Sequence, residues 1–106
     1  IIGIAYKRDV TDTRESPAFE VFHKLKERGA GISYHDPFVP TVKLNGQILK
    51  SVKLTAAALK DKDCVLILTD HSNIDYQFIV ENSKFIFDTR NALRHIYTNR
   101  DKIERL

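Results

Sequence analysis

The sequence predicts an α/β domain: a Rossmann-like, doubly wound and mainly parallel sheet with helices on both faces, a three-layer α/β/α arrangement. Three observations predict it. Short continuous apolar runs recur along the chain, the mark of strands buried on both faces. They alternate with amphipathic segments of helical period. Polar clusters follow the runs, as expected where parallel strands all end on one edge. At 106 residues, 42% hydrophobic and 29% charged, the chain has the size and composition of one domain with a core. That domain is expected to span residues 1–106, with residues 94–106 as a peripheral tail.

The elements follow in order. Ile1 to Ala5 is the first apolar run and is predicted as a buried parallel strand. Lys7 to Glu15 is polar, with charges of both signs. Ser16 then suits an N-cap, and Pro17 the first helical position, where its missing N–H costs nothing. Ala18, Val21, Phe22 and Leu25 make one apolar face. Lys24, Lys26 and Arg28 favour the negative end of the helix dipole, and Gly29 supplies a stop. Gly31 to His35 reads as a second strand closed by Asp36-Pro37, which completes a strand–helix–strand unit. Asn45-Gly46, between Val42/Leu44 and Ile48/Leu49, fits a hairpin turn and equally an extended surface loop. Thr55 to Leu59 predicts a short helix capped by Thr55. Cys64 to Leu68 is the strongest strand. Ile74 to Val80 predicts a helix with Ile74, Phe78 and Val80 inward. Phe85 to Phe87 predicts a short buried strand, and the polar tail from Ala92 a further helix.

Composition narrows the function classes. Seventeen Lys+Arg against 14 Asp+Glu leave a formal charge of +3. The surplus is spread along the chain rather than gathered in a basic stripe, so no nucleic-acid partner is expected. No run of 18 apolar residues occurs, so no membrane span or membrane partner is expected. The start lacks the basic and apolar regions of a signal peptide, and the expected location is cytoplasmic. A single cysteine, Cys64, excludes an internal disulfide and a cysteine-based zinc site, and no metal is expected. The chain contains no Met and begins in what reads as mid-strand, so it is expected to be a piece of a longer polypeptide.

The polar clusters carry the candidate chemistry. The loop after the first run holds Tyr6, Lys7, Arg8 and Arg14, but only one glycine, Gly3, precedes it, inside the strand. A dinucleotide-binding loop would instead carry G-x-G-x-x-G, so that backbone approaches the pyrophosphate. A phosphate here would be held by Lys7 or Arg14, helped by the helix start near Ser16. The same residues also read as solvated charges pairing with Asp9, Asp12 and Glu15. Arg90 adds a cation on the same edge, or else pairs with Asp88 or caps a helix. His71, after Thr69-Asp70, reads either as a general base or as a structural histidine. His35-Asp36 resembles the acidic, ribose-binding end of a Rossmann strand, but without the glycine loop it reads as a turn. Cys64 has no cationic neighbour and reads as core rather than nucleophile. No local segment carries a complete catalytic constellation.

Taken together, Gly3-Ile4-Ala5-Tyr6-Lys7, Asp12-Thr13-Arg14-Glu15-Ser16-Pro17, Tyr34-His35-Asp36-Pro37, Leu68-Thr69-Asp70-His71 and Phe87-Asp88-Thr89-Arg90-Asn91 resemble the C-terminal domain of the UDP-glucose/GDP-mannose dehydrogenase family. The resemblance runs from Ile1 to about Leu93. It is strongest to members acting on UDP-N-acetylhexosamines or UDP-glucose. It implies a Rossmann-like domain that binds the nucleotide part of a UDP-sugar. The full enzymes oxidise the sugar C6 alcohol to a carboxylate in two NAD-dependent steps, giving uronic acids for polysaccharide synthesis. The resemblance places Tyr6, Lys7 and Arg90 on the UDP-sugar, and Arg14 on NAD held mainly by another domain. It implies no catalytic residue here, because the cysteine motif and the glycine fingerprint of the family are both missing. It further implies contact with the rest of the protein's own chain and a homodimer or higher assembly. The alternative is a stand-alone, non-catalytic α/β module binding a nucleotide or a protein.

Overall fold

A computed structural model describes all 106 residues. Helix α1 (Pro17–Glu27) is followed by strands β1 (Thr41–Leu44) and β2 (Gln47–Lys50), helix α2 (Ala56–Asp61) and strand β3 (Val65–Ile67). Helix α3 (Tyr76–Asn82) and strand β4 (Ile86–Asp88) come next, and a 3-10 turn, Arg100–Lys102, leads into strand β5 (Ile103–Arg105).

Ile2 sits at the centre of the sheet. It bridges in parallel to His35 on one side and to Ile67 on the other. The Ile2 N–H donates to the Leu66 carbonyl at 2.8 Å, and the Gly3 N–H to that of His35 at 2.9 Å. Beyond β3 the sheet continues through β4 and β5, both parallel. The strand order reverses where the first segment meets β3, because the chain leaves that segment for His35 on one side and returns to β3 on the other. In open α/β sheets such a reversal leaves a crevice at the strands' C-terminal ends, where ligands bind.

Two apolar clusters flank the sheet. One gathers Ile2, Leu59, Val65, Ile67, Ile79, Val80 and Ile86 beneath α2 and α3. The other gathers Ile4, Ala5, Ala18, Phe22, Tyr34, Val39 and Leu44 beneath α1 and the hairpin. This is the expected α/β arrangement. The expected caps form as well: Ser16 Oγ accepts from the Ala18 N–H at 3.3 Å, and Thr55 Oγ1 from the Ala58 N–H at 3.1 Å. No helix is long and apolar enough to cross a membrane.

Several expectations are corrected. The first two runs contribute single bridges rather than full strands. Gly3 takes φ +85°, which breaks the side-chain alternation and sends Ile2 and Ile4 to different clusters. Asn45-Gly46 forms a true antiparallel hairpin turn between β1 and β2, with φ of 50° and 77°. In α3 the buried residues are Ile79 and Val80, with Phe78 only partly covered, and Ile74 is buried ahead of the helix. Strand β4 begins at Ile86 rather than Phe85, leaving Phe85 39% exposed. The tail is not a helix. After β4 the Asp88 carboxylate accepts the N–H groups of Arg90, Ala92 and Leu93 and turns the chain back, and the tail then lends β5 to the sheet. Cys64 is exposed rather than core, because β3 starts one residue later and Cys64 lies at its open N-terminal edge. Partial burial still raises its thiol pKa, which argues against a reactive thiolate.

Candidate functional site

The C-terminal ends of the first segment and of β3 lie side by side because Gly3 allows it. A Cβ at Gly3 would stand 2.4 Å from Thr69 Cβ and 2.5 Å from the Thr69 carbonyl oxygen. The close approach lets the Thr69 hydroxyl donate to the Ala5 carbonyl at 2.8 Å.

Asp36 clasps the same region from the other side. One carboxylate oxygen accepts from Ile4 N–H at 2.8 Å, Ala5 N–H at 2.9 Å and His71 Nε2 at 2.9 Å; the other accepts from Phe38 N–H at 2.8 Å. Burial pushes the Asp36 carboxyl up, but these donors outweigh it and hold its pKa below the usual carboxylate range. Asp36 therefore closes a turn and fixes the loop; its oxygens are spent on protein donors, not on a ribose. His71 is equally committed. Its Nδ1 accepts the Asp9 N–H at 2.9 Å, which leaves the proton on Nε2 toward Asp36, and its ring lies 4.7 Å from that of Phe38. A fully buried imidazole with both nitrogens engaged is a structural histidine and has no free nitrogen for general-base work.

Above this base lie the cations. Arg8 pairs with Asp70, donating Nε and Nη2 to its carboxylate and Nε to its carbonyl at 3.1 Å. That pairing raises the Arg8 pKa above its ordinary value. Arg90, from the end of β4, brings Nε within 3.7 Å of the other Asp70 oxygen. Asp70 is 7% exposed, while the Arg8 and Arg90 side chains are 50% and 40% exposed. Asp9, near Arg8, turns its carboxylate onto the Ser72 N–H and hydroxyl at 2.8 and 2.6 Å. Lys7 and Tyr6 are exposed, and neither makes a side-chain hydrogen bond or ion pair. Arg14 lies in a bidentate pair with Asp12, at 3.1 and 3.0 Å, and is 86% exposed. The Arg14 side-chain hydrogen bonds draw the Asp12 pKa down to about 2. Tyr6, Asp12, Arg14 and Glu15 line a shallow hollow beside the main cluster.

The structure brings Arg90 to Asp70 beside Arg8, leaves Lys7 exposed next to Arg8 in the chain, and gathers Tyr6 with Arg14 at the neighbouring hollow. Arg14 does take the local pair that charge patterning suggests. Arg8 does not: its partner lies 62 positions away, which local spacing does not disclose. Asp70 was missed for the same reason; its only signal is its place directly after the strongest apolar run. A groove of about 640 Å³ lies at the opposite edge among Ile1, Ile32, Leu54, Cys64 and Leu66, where Lys53 and Lys62 are accompanied by Asp61 and Asp63.

Comparison with known proteins identifies a family and relatives. Residues 1–95 match the model of the UDP-glucose/GDP-mannose dehydrogenase family, UDP binding domain. A UDP-N-acetyl-D-mannosamine dehydrogenase of Methanococcus maripaludis is 36% identical over 103 residues, covering 90% of this chain and 23% of that protein. UDP-glucose 6-dehydrogenase 4 of Arabidopsis thaliana is 32% identical over 122 residues, covering 88% of this chain and 25% of that protein. A solved UDP-N-acetyl-mannosamine dehydrogenase of Staphylococcus aureus superposes with a TM-score of 0.70 at 30% identity, over 98% of this chain and 24% of that one. A Pyrococcus horikoshii structure with a TM-score of 0.72 and 22% identity, over 98% of this chain and 24% of that one, shares the fold. The chain therefore spans about a quarter of the length of these relatives.

Proposed function

The chain belongs to the UDP-glucose/GDP-mannose dehydrogenase family, and from that premise we propose that it holds the nucleotide end of the substrate in an NAD-dependent UDP-sugar 6-dehydrogenase. The reaction would oxidise the sugar C6 alcohol to a carboxylate. Two equivalents of NAD accept the two hydrides, and water supplies the second oxygen. The chemistry would be done on other parts of a longer polypeptide. This domain's part is to bind and orient.

The observation that carries the reading is the Arg8–Asp70–Arg90 cluster at the C-terminal edge where the strand order reverses, with an exposed and unpartnered Lys7 next to Arg8 in the chain. A diphosphate is held by cations with donors still free, and all of the Lys7 ammonium donors are free. Tyr6, the preceding residue, would offer an exposed aromatic face from the neighbouring hollow. Arg90 completes the substrate side. Arg14, exposed and separate, suits the cofactor side: it would meet the NAD pyrophosphate presented by a neighbouring domain once released from Asp12. When bound, NAD supplies the hydride acceptor. Gly3, committed to packing against Thr69, is not available to cradle a pyrophosphate. Soluble, cytoplasmic operation on UDP-N-acetylhexosamine or UDP-glucose in polysaccharide synthesis, in a homodimer or larger assembly, belongs to the same proposal.

Lys7→Ala in the full-length enzyme tests it. The KM for the UDP-sugar should rise at least tenfold, the size of one lost charge-assisted contact of about 1.5–3 kcal/mol. An unchanged KM would remove Lys7 from the site. The 106-residue chain by itself should form no NADH from UDP-sugar and NAD; turnover by it would overturn the division of labour.

A further inference from the structure

Resting on that reading, we propose that Arg8 is a second diphosphate-binding arginine and that Asp70 is the positioning residue that holds Arg8 and Arg90 as one clamp.

Asp70 is nearly buried and meets two guanidinium groups that arrive from different strand ends, Arg8 after the first segment and Arg90 after β4. A surface ion pair is ordinarily weak and loosely held, because both side chains stay solvated and mobile. Here one partner is fixed and desolvated, so the geometry of both arginines is set from below. The pairing does not exhaust them. Arg8 uses Nε and Nη2, and its Nη1 makes no hydrogen bond. Arg90 makes no side-chain hydrogen bond, only the longer ion pair through Nε. Both side chains remain about half exposed, so these donors are open to solvent. Asp9, the other nearby carboxylate, is spent on Ser72. Asp88, at the end of β4, is likewise spent, on the backbone N–H groups of Arg90, Ala92 and Leu93, so Asp70 is the one carboxylate these two guanidinium groups share. Planar guanidinium donors held in place are suited to two adjacent phosphoryl groups, since less rotamer freedom is lost when the anion binds.

The test is UDP binding to the full-length enzyme by calorimetry, with uridine as the phosphate-free probe. Arg8→Ala should weaken UDP roughly tenfold to a hundredfold and leave uridine unchanged. Asp70→Asn separates positioning from charge. Removing a negative charge beside an anion should tighten UDP binding if only net charge matters. Loss of positioning should weaken it, by about tenfold, in a protein whose melting temperature is retained. If Asp70→Asn melts early, Arg8→Ala and Arg8→Lys decide instead, since Arg8 is half exposed and Lys7→Ala gives the reference for a lost point charge. UDP affinity unchanged in Arg8→Ala, or unchanged or tighter in a stable Asp70→Asn, overturns the clamp while the UDP-binding reading stands. Absence of UDP binding by the unaltered enzyme overturns both.

Discussion

At Gly3 the backbone runs so close to Thr69 that no side chain fits, and φ +85° would strain any other residue even in open space. Gly3→Ala should destabilise the fold by about 3 kcal/mol or more, combining left-handed strain with overpacking. Urea denaturation measures it directly, and a loss under 1 kcal/mol would mean that the Thr69 loop moves aside. Asp36 makes a second prediction, this one with a pH dependence. Its folded-state pKa lies below the ordinary value, so it stabilises the fold above the unfolded pKa of about 4. That contribution is lost as the pH falls through the folded-state value. Asp36→Asn points an amide N–H₂ or a lone oxygen at three backbone donors and His71, and should cost about 3 kcal/mol at pH 7. Its stability should also vary less below pH 4 than that of the unaltered chain. At this scale the sequence disclosed which side chains could bind anions, namely Lys7, Arg14 and Arg90. It did not disclose which were already engaged. That depends on contacts between residues far apart in the chain, such as Arg8 with Asp70 and Asp36 with His71.

Helix α1 shows what an element's sequence does settle. Its cap, its proline start and its apolar face all act within a few residues, so local rules suffice. Ser16→Ala should cost about 1 kcal/mol, the usual worth of an N-cap. The loss should reach somewhat more because Ser16 Oγ also lies 3.4 Å from the Ala5 carbonyl, at the root of the candidate site. A melting-temperature shift under 1 °C would show that α1 is held by packing alone. The hairpin was legible only as one of two options, because Asn-Gly permits a tight turn without compelling the flanks to pair. The tail misled for the opposite reason. Its residues carry no strong strand signal, and β5 exists because β4 offers an unpaired edge. An isolated peptide of residues 92–106 should therefore show no β structure by circular dichroism, and appreciable strand content there would contradict this account.

Across the whole molecule, the two apolar clusters lie on different faces of the sheet and would be independent if only apolar contacts joined them. The first segment joins them. Ile2 belongs to one cluster, Ile4 and Ala5 to the other, and the bend between them exists only while Gly3 is packed on Thr69. Asp36 and His71 tie the same few residues to the loop after β3. Opening either face must release these bonds and leave buried donors unsatisfied, a cost that couples the faces. The chain should therefore unfold in a single cooperative transition, with far-ultraviolet dichroism and tyrosine fluorescence changing together and the calorimetric and van't Hoff enthalpies equal. Two resolved transitions would mean that the clusters fold separately. The joint is also the floor of the candidate site. Asp70, which holds Arg8 and Arg90, stands between Thr69 and His71, two residues of that joint. Substitutions that loosen the joint should lower UDP affinity in the full-length enzyme in step with stability, whereas Lys7→Ala, at an exposed residue, should lower affinity with no change in stability.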